Sequence, residues 1–168
     1  MSQDLLQAMQ AEAERIEEDA EYSLKGHFFA AERWGQWRYW IGIPTALAAA
    51  ISSALTFADQ TLAGAILAMA ATVLATLMTF LNPAERAAQH KAAGSAYLEL
   101  RNRARIFRQV ELVDAQDLSS LKIPLQELDE VRNQLNRTSP KIPQQDYDRA
   151  KQAIEDGQAI YRVDKEET

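Results

Sequence analysis

Residues 39–81 read YWIGIPTALAAAISSALTFADQTLAGAILAMAATVLATLMTFL, and between Arg38 and Glu85 the only formal charge is Asp59, near the middle of that span. The charge-free runs on either side, 39–58 and 60–81, are each about twenty residues long, which at about 1.5 Å per helical residue matches about 30 Å of hydrocarbon. The link between them is so short that two spans must turn straight back, which predicts a two-helix transmembrane hairpin. Arg33 and Arg38 precede the hairpin, Arg86 and Lys91 follow it, and the turn carries no Lys or Arg. The positive-inside rule therefore predicts that both termini are cytoplasmic. Trp34, Trp37, Tyr39 and Trp40 gather at the entry, where amphipathic rings favour the headgroup boundary. The competing reading of the same run is a soluble helical protein, or an adaptor whose apolar hairpin is covered by other helices.

Outward from the hairpin the pattern stays helical. On the N-terminal side Leu6, Met9, Ala13, Ile16 and Ala20 recur at alternating three- and four-residue steps, a coiled-coil-like seam. Asp4, Glu12, Glu14, Glu17, Glu18, Asp19 and Glu21 stand there against the single base Arg15. An N-terminus so acidic is not expected to be a cleavable signal peptide, which needs a basic start and an early apolar stretch. On the other side Pro83 suits the first turn of a helix, and His90, Ala93, Tyr97, Leu100, Ala104 and Phe107 repeat the same steps. Arg101, Arg105 and Arg108 share another face of that helix, so it is predicted to pack on the acidic helix of opposite sign. Those three arginines are the candidate gating or partner face, with anionic lipid or a nucleotide as other ligands.

Farther on, Pro124 opens a helix with Leu125, Leu128, Val131 and Leu135. Thr138-Ser139-Pro140 and Pro143 break it before a last helix with Tyr147, Ala150 and Ile154. Asp164–Thr168 is charged and is expected to fray. The predicted fold is thus all-α: a membrane hairpin plus a cytoplasmic helical bundle formed by N- and C-terminal helices. Its divisions are 1–38 (acidic helix and interfacial lead), 39–81 (hairpin), 82–138 (long helix and the next) and 139–168 (last helix and tail).

The 168 residues sum to a net charge of −6 with a pI near 5.0, and the mean hydropathy of −0.32 conceals how unevenly apolar residues are spread. An acidic chain lacks the basic footprint of sequence-independent nucleic-acid binding, so no nucleic-acid partner is expected. The absence of cysteine removes disulfides and thiolate chemistry. The only histidines are His27 and His90. Glu85 and His90, five apart, do not share a helix face as di-metal Glu-x-x-His pairs do, and no phosphate loop or nucleophile elbow occurs. No enzymatic activity, cofactor or metal is expected.

The spans themselves are rich in small residues. Ala46, Ala50, Ala54 and Ala58 recur every fourth position, as do Gly64, Ala68 and Thr72; small faces allow close helix packing in lipid. These positions are the candidate packing surface, either within one hairpin or between hairpins of a homo-oligomer. Two spans enclose no channel, so a pore needs several copies. Thr45, Ser52 and Thr56 in the first span and Thr72, Thr76 and Thr79 in the second are candidates to line one, against the plainer alternative that each hydroxyl bonds back to its preceding turn.

Two further stretches carry a family likeness. The segment Ala31-Glu32-Arg33-Trp34 through Trp40-Ile41-Gly42-Ile43-Pro44 resembles the aromatic, basic lead and Gly-x-Pro opening of the SLATT family, two-transmembrane effector domains of bacterial conflict systems. Phe80-Leu81-Asn82-Pro83, His90, Ala93-Gly94 and Tyr97 resemble its exit motif and long cytoplasmic helix. The likeness covers roughly residues 10–125, and the tail after Ser119 matches nothing in the family. What the resemblance implies is an oligomeric pore-forming effector of antiphage defence in the bacterial inner membrane. Its partners would be the lipid bilayer and a separate nucleotide-generating or nucleotide-sensing protein. The alternative is a membrane-anchored scaffold that oligomerises without conducting.

Overall fold

Runs of Ala, Leu, Glu and Arg carry little backbone penalty as helix, and the described chain leaves helix only at 58–60, Asn82, 115–121 and 139–143 before the end of α6. The computed structural model describes residues 2–158, and every regular element among them is helical. In order these are α1 (Ser2–Phe57), α2 (Thr61–Leu81), α3 (Pro83–Ile106), a π-helical turn (Phe107–Glu111), α4 (Leu112–Asp114), α5 (Lys122–Thr138) and α6 (Gln144–Glu155). The acidic helix and the first apolar run are one continuous element. It passes through Pro44, which has no N–H to give the Trp40 carbonyl. Two helices are long and apolar enough to cross a membrane.

The chain divides into two compact units. One is Ala31–Ala88; the other joins residues 2–30 with residues 89–158. In the first unit, α1 and α2 are joined by a tight reversal in which Gln60 N–H donates to Leu55 O at 2.9 Å and Asp59 takes a left-handed φ of 61°. At its other end α2 stops on Asn82, also left-handed (φ 39°), whose N–H donates to Met78 O. Asn tolerates that conformation better than most residues, and the Pro83 that follows starts α3 with its φ already helical.

The second unit has the apolar core. Met9, Ala13, Ile16, Ala20 and Leu24 of α1 pack with Tyr97, Leu100, Ala104 and Phe107 and with Leu112 and Leu128; Leu125, Val131 and Leu135 are partly buried against them. The two seams read from three- and four-residue spacing therefore meet. Phe107 and Leu112 are both buried although five residues apart. The π-helical turn between them makes that step possible, since it widens one turn by a residue.

After α5 the chain is extended at Ser139, as the following Pro140 requires, and again at Pro143, the N-cap from which α6 begins at Gln144. The expected α6 face is only partly correct: Ala150 is buried, but Tyr147 is exposed and stacks on Tyr22 with ring centroids 6.1 Å apart. Asp146 is buried in its place, in the first helical turn where a carboxylate is favoured by the helix dipole. Asp164–Thr168 lies outside the described residues.

Candidate functional site

Within the hairpin unit the helices meet along Ile41, Thr45, Ala48, Ser52 and Leu55 of α1 and Gly64, Leu67, Ala71, Leu74 and Met78 of α2, all buried or half-buried. Gly64 is where they come closest. A Cβ there would sit 2.6 Å from Thr56 Oγ1 and 3.1 Å from the Ser52 carbonyl oxygen, so only glycine fits without movement. The Ser52 hydroxyl uses this approach to donate to the Gly64 carbonyl at 2.7 Å, a polar tie between the two helices inside the apolar stretch.

The other candidate hydroxyls bond within their own helices. Thr45 donates to Ile41 O, Thr56 to Ser52 O, Thr72 to Ala68 O, Thr76 to Thr72 O and Thr79 to Ala75 O, at 2.7–3.1 Å. Thr72, Thr76 and Thr79 are exposed, Thr45 is half-buried and Ser52 is buried. Of the small residues, Gly64 sits in the seam, while Ala46, Ala50, Ala54, Ala58 and Ala68 are exposed and leave the contact within the hairpin to other positions.

The exposed hydroxyls fall to one side, whereas Ala46, Ala50, Ala54 and Ala58 wind around the back of α1 from that side to the other. At about 100° per residue, Ala65, Ala68, Thr72, Thr76 and Thr79 fall to one side of the α2 seam, and Leu62, Ile66, Met69, Val73 and Phe80 fall behind it. On α1, Ala46, Ala49, Ser53 and Thr56 fall to one side, and Trp40, Ile43, Leu47 and Ile51 to the other. In an antiparallel pair equal rotations from the seam lead to the same side, a geometry marked by the approach of Thr56 to Gly64. One side of the hairpin therefore gathers small and hydroxylated residues, with Phe57 at its turn end, while the other side carries bulky apolar residues interspersed with Ala54, Ala58, Ala63 and Ala70.

In the helical core the opposite charges do pair. Arg101 Nε lies 2.5 Å from Glu21 Oε2, both nearly covered at 11% and 12% exposure, and Arg108 meets Glu17 at 3.0 Å. Arg105, half-buried on the same face, is also partnered. Sequence reasoning missed Arg132 of α5, which reaches Asp19 at 3.2 Å and Glu12 at 3.5 Å of α1 and also pairs with Asp129. Its signal was its place beside Val131 on the edge of the apolar face.

His90 is buried and hydrogen-bonded on the seam where its spacing put it, but its partner His27 was missed. His27 and His90 are buried, at 1% and 5% exposure, with Nδ1 atoms 2.9 Å apart, so one ring donates and the other accepts. The His27 ring also stacks on Tyr97, whose hydroxyl donates to Asn136 Oδ1 at 2.8 Å. Burial first, and the neighbouring His90 second, lower the His27 pKa from 6.5 to about 4; burial raises that of Tyr97. The available clue was spacing: His27 continues the seam of Met9 to Leu24 by one three-residue step. No family model matches the chain, and neither a curated protein nor a solved structure matches it.

Proposed function

We propose that this chain is an oligomeric membrane effector whose hairpin spans the bilayer and whose copies pack together to open a leak. The observation that carries this reading is the gathering of the exposed hydroxyls, Ser53, Thr56, Thr72, Thr76 and Thr79, on one side of the hairpin among small residues, while most of the bulky apolar residues lie elsewhere. Bulky side chains suit lipid, while a small face permits backbone approach between hairpins, where dispersion contacts and hydroxyls supply the attraction that lipid does not. In the assembled state Thr72, Thr76 and Thr79 line the conduit, presenting hydroxyl oxygens whose protons are held by the helix.

Arg33, Arg38 and Arg86 at the open end of the hairpin support cytoplasmic termini. The helical core then lies in the cytoplasm, and its acid–base layer is the two-state element that a signal biases. A ligand shifts that equilibrium only by binding one arrangement more tightly. The likeness to SLATT effectors supports a bacterial inner-membrane location and a separate nucleotide-generating or nucleotide-sensing partner. A second reading, a scaffold that assembles without conducting, draws on the back-bonded hydroxyls, which are the ordinary state of Ser and Thr in membrane helices.

Liposomes holding a self-quenched dye separate the two. Release by the native chain and not by Thr72→Leu/Thr76→Leu, at equal insertion, is the expected result. A stable oligomer that releases nothing with or without the partner supports the scaffold.

A further inference from the structure

Beside the seam at the open end of the hairpin, α1 presents a second continuous face. Arg33, Gln36, Trp37 and Trp40 line a cleft there, with Trp37 and Trp40 exposed at 46% and 76%. Helical spacing carries this face directly into Ile43, Leu47 and Ile51, all exposed. A cationic guanidinium, an amide and two indole N–H donors therefore sit at the head of an apolar column about three turns long. The guanidinium carbon of Arg33 lies 5.5 Å from the centre of the Trp34 ring, and that of Arg86 lies 4.9 Å from it. The Arg86 side chain is further held by its Nε–H donating to the Leu81 carbonyl at 2.9 Å. Glu32 and Glu85 adjoin Arg33 and Arg86 in sequence, so the charge the cleft itself presents is the Arg33 guanidinium. Pro44 adds an acceptor, because the Trp40 carbonyl lacks the N–H that another residue at position 44 would supply.

We propose that the Arg33–Gln36–Trp37–Trp40 cleft binds one anionic phospholipid. Its phosphate is held by Arg33 and the neighbouring N–H donors, and one acyl chain lies along Ile43, Leu47 and Ile51. The assignment rests on the membrane reading of the hairpin. Charge selects the occupant: a zwitterionic lipid brings an ammonium beside the Arg33 guanidinium, whereas a phosphatidylglycerol headgroup brings a net negative charge and hydroxyls able to donate to the Trp40 carbonyl.

All three tryptophans lie at residues 34–40, so tryptophan emission of the full chain in maltoside micelles reports this region alone. The titrants are short-chain phosphatidylglycerol, short-chain phosphatidylcholine and inorganic phosphate. Phosphatidylglycerol should saturate the change about fivefold more tightly than phosphatidylcholine, the effect of one basic residue near a charged headgroup. Arg33→Gln should erase that difference, Arg33→Lys should keep most of it, and Arg38→Gln, on the opposite side of α1, should leave it intact. Circular dichroism of each variant checks folding; if Arg33→Gln loses helix, Gln36→Ala with Trp40→Leu replaces it and should weaken phosphatidylglycerol binding.

Equal affinities for the two lipids, or a preference that survives Arg33→Gln, overturn the proposal. A response to inorganic phosphate at the same concentration as to phosphatidylglycerol overturns the lipid as the occupant and makes the cleft a soluble phosphate site. Detergent removal distinguishes the deeper failure. A chain that stays monodisperse without detergent refutes the membrane reading itself, whereas a detergent-dependent chain without headgroup preference refutes only the lipid site.

Discussion

Acidification should loosen the helical core through its buried histidine pair, before most carboxylates titrate. The His27 pKa falls from 6.5 to about 4 on folding, so below 6.5 the unfolded chain binds a proton that the folded chain refuses. The stabilisation is complete above pH 6.5 and is lost as pH falls toward 4. Working through the two pKa values, the loss between pH 7.5 and 5 is about 2 kcal/mol, and by pH 4 it reaches about 3 kcal/mol. The physical cause is that the single proton between the two Nδ1 atoms is already enough; a second sets donor against donor in a site closed to water. Chemical denaturation of the full chain in maltoside micelles, followed by near-ultraviolet circular dichroism, measures the slope. His27→Gln keeps an amide beside His90 but cannot titrate, and its curve should be flatter by about 2 kcal/mol across pH 7.5 to 5. Parallel curves for native chain and variant would show that the pair does not resist protonation, and the reasoning would fail.

Other perturbations test other layers. Gly64→Ala should weaken the hairpin by about 1–3 kcal/mol through the collision with Thr56 and the Ser52 carbonyl, read as a lower melting temperature in micelles. Adding Thr56→Ala should recover part but not all of the loss, because the backbone contact remains. Arg101→Ala should cost about 3 kcal/mol by leaving Glu21 buried without its cation, whereas removing an exposed base such as Arg15 should cost under about 0.5 kcal/mol; paired denaturation curves compare them. Tyr97→Phe should cost about 1 kcal/mol and remove an alkaline loss of stability above pH 10, since burial favours the neutral phenol. Reversing Arg101, Arg105 and Arg108 to Glu should change toxicity in cells while leaving carbonate-resistant membrane association intact; unchanged toxicity would remove the acid–base layer from the gating scheme.

Much of the fold was legible because burial follows helical spacing. Met9 to Ala20 and His90 to Phe107 were identifiable as seams from three- and four-residue steps, and all of those residues are buried. The long apolar helices were legible from the lack of charge. The pairing of Arg101 with Glu21 and Arg108 with Glu17 followed from opposite signs on two helices that had to meet somewhere. What stayed hidden depended on which side chains meet across helices. The alanines at 46, 50, 54 and 58 announce a small face but not its direction, and only the close approach at Gly64 shows that α1 turns Ser52 rather than those alanines toward α2. His27 was passed over because a lone polar residue on an apolar seam carries no chemical signature until its partner, 63 residues away, is placed beside it. Arg132 was missed for the same reason.

The widened turn at Phe107–Glu111 has a consequence for how such a chain can change over generations. Inserting one residue into a helix ordinarily rotates everything beyond it by about a quarter-turn and drags buried positions to the surface. Here the surplus residue is confined to a single loop of backbone, and Phe107 before it and Leu112 after it both stay inside. The segment downstream can therefore be lengthened or shortened by one position without disturbing the stretch from His90 to Phe107. Related chains that lack the bulge should differ by a one-residue gap at this place, with the buried positions on both sides still in register.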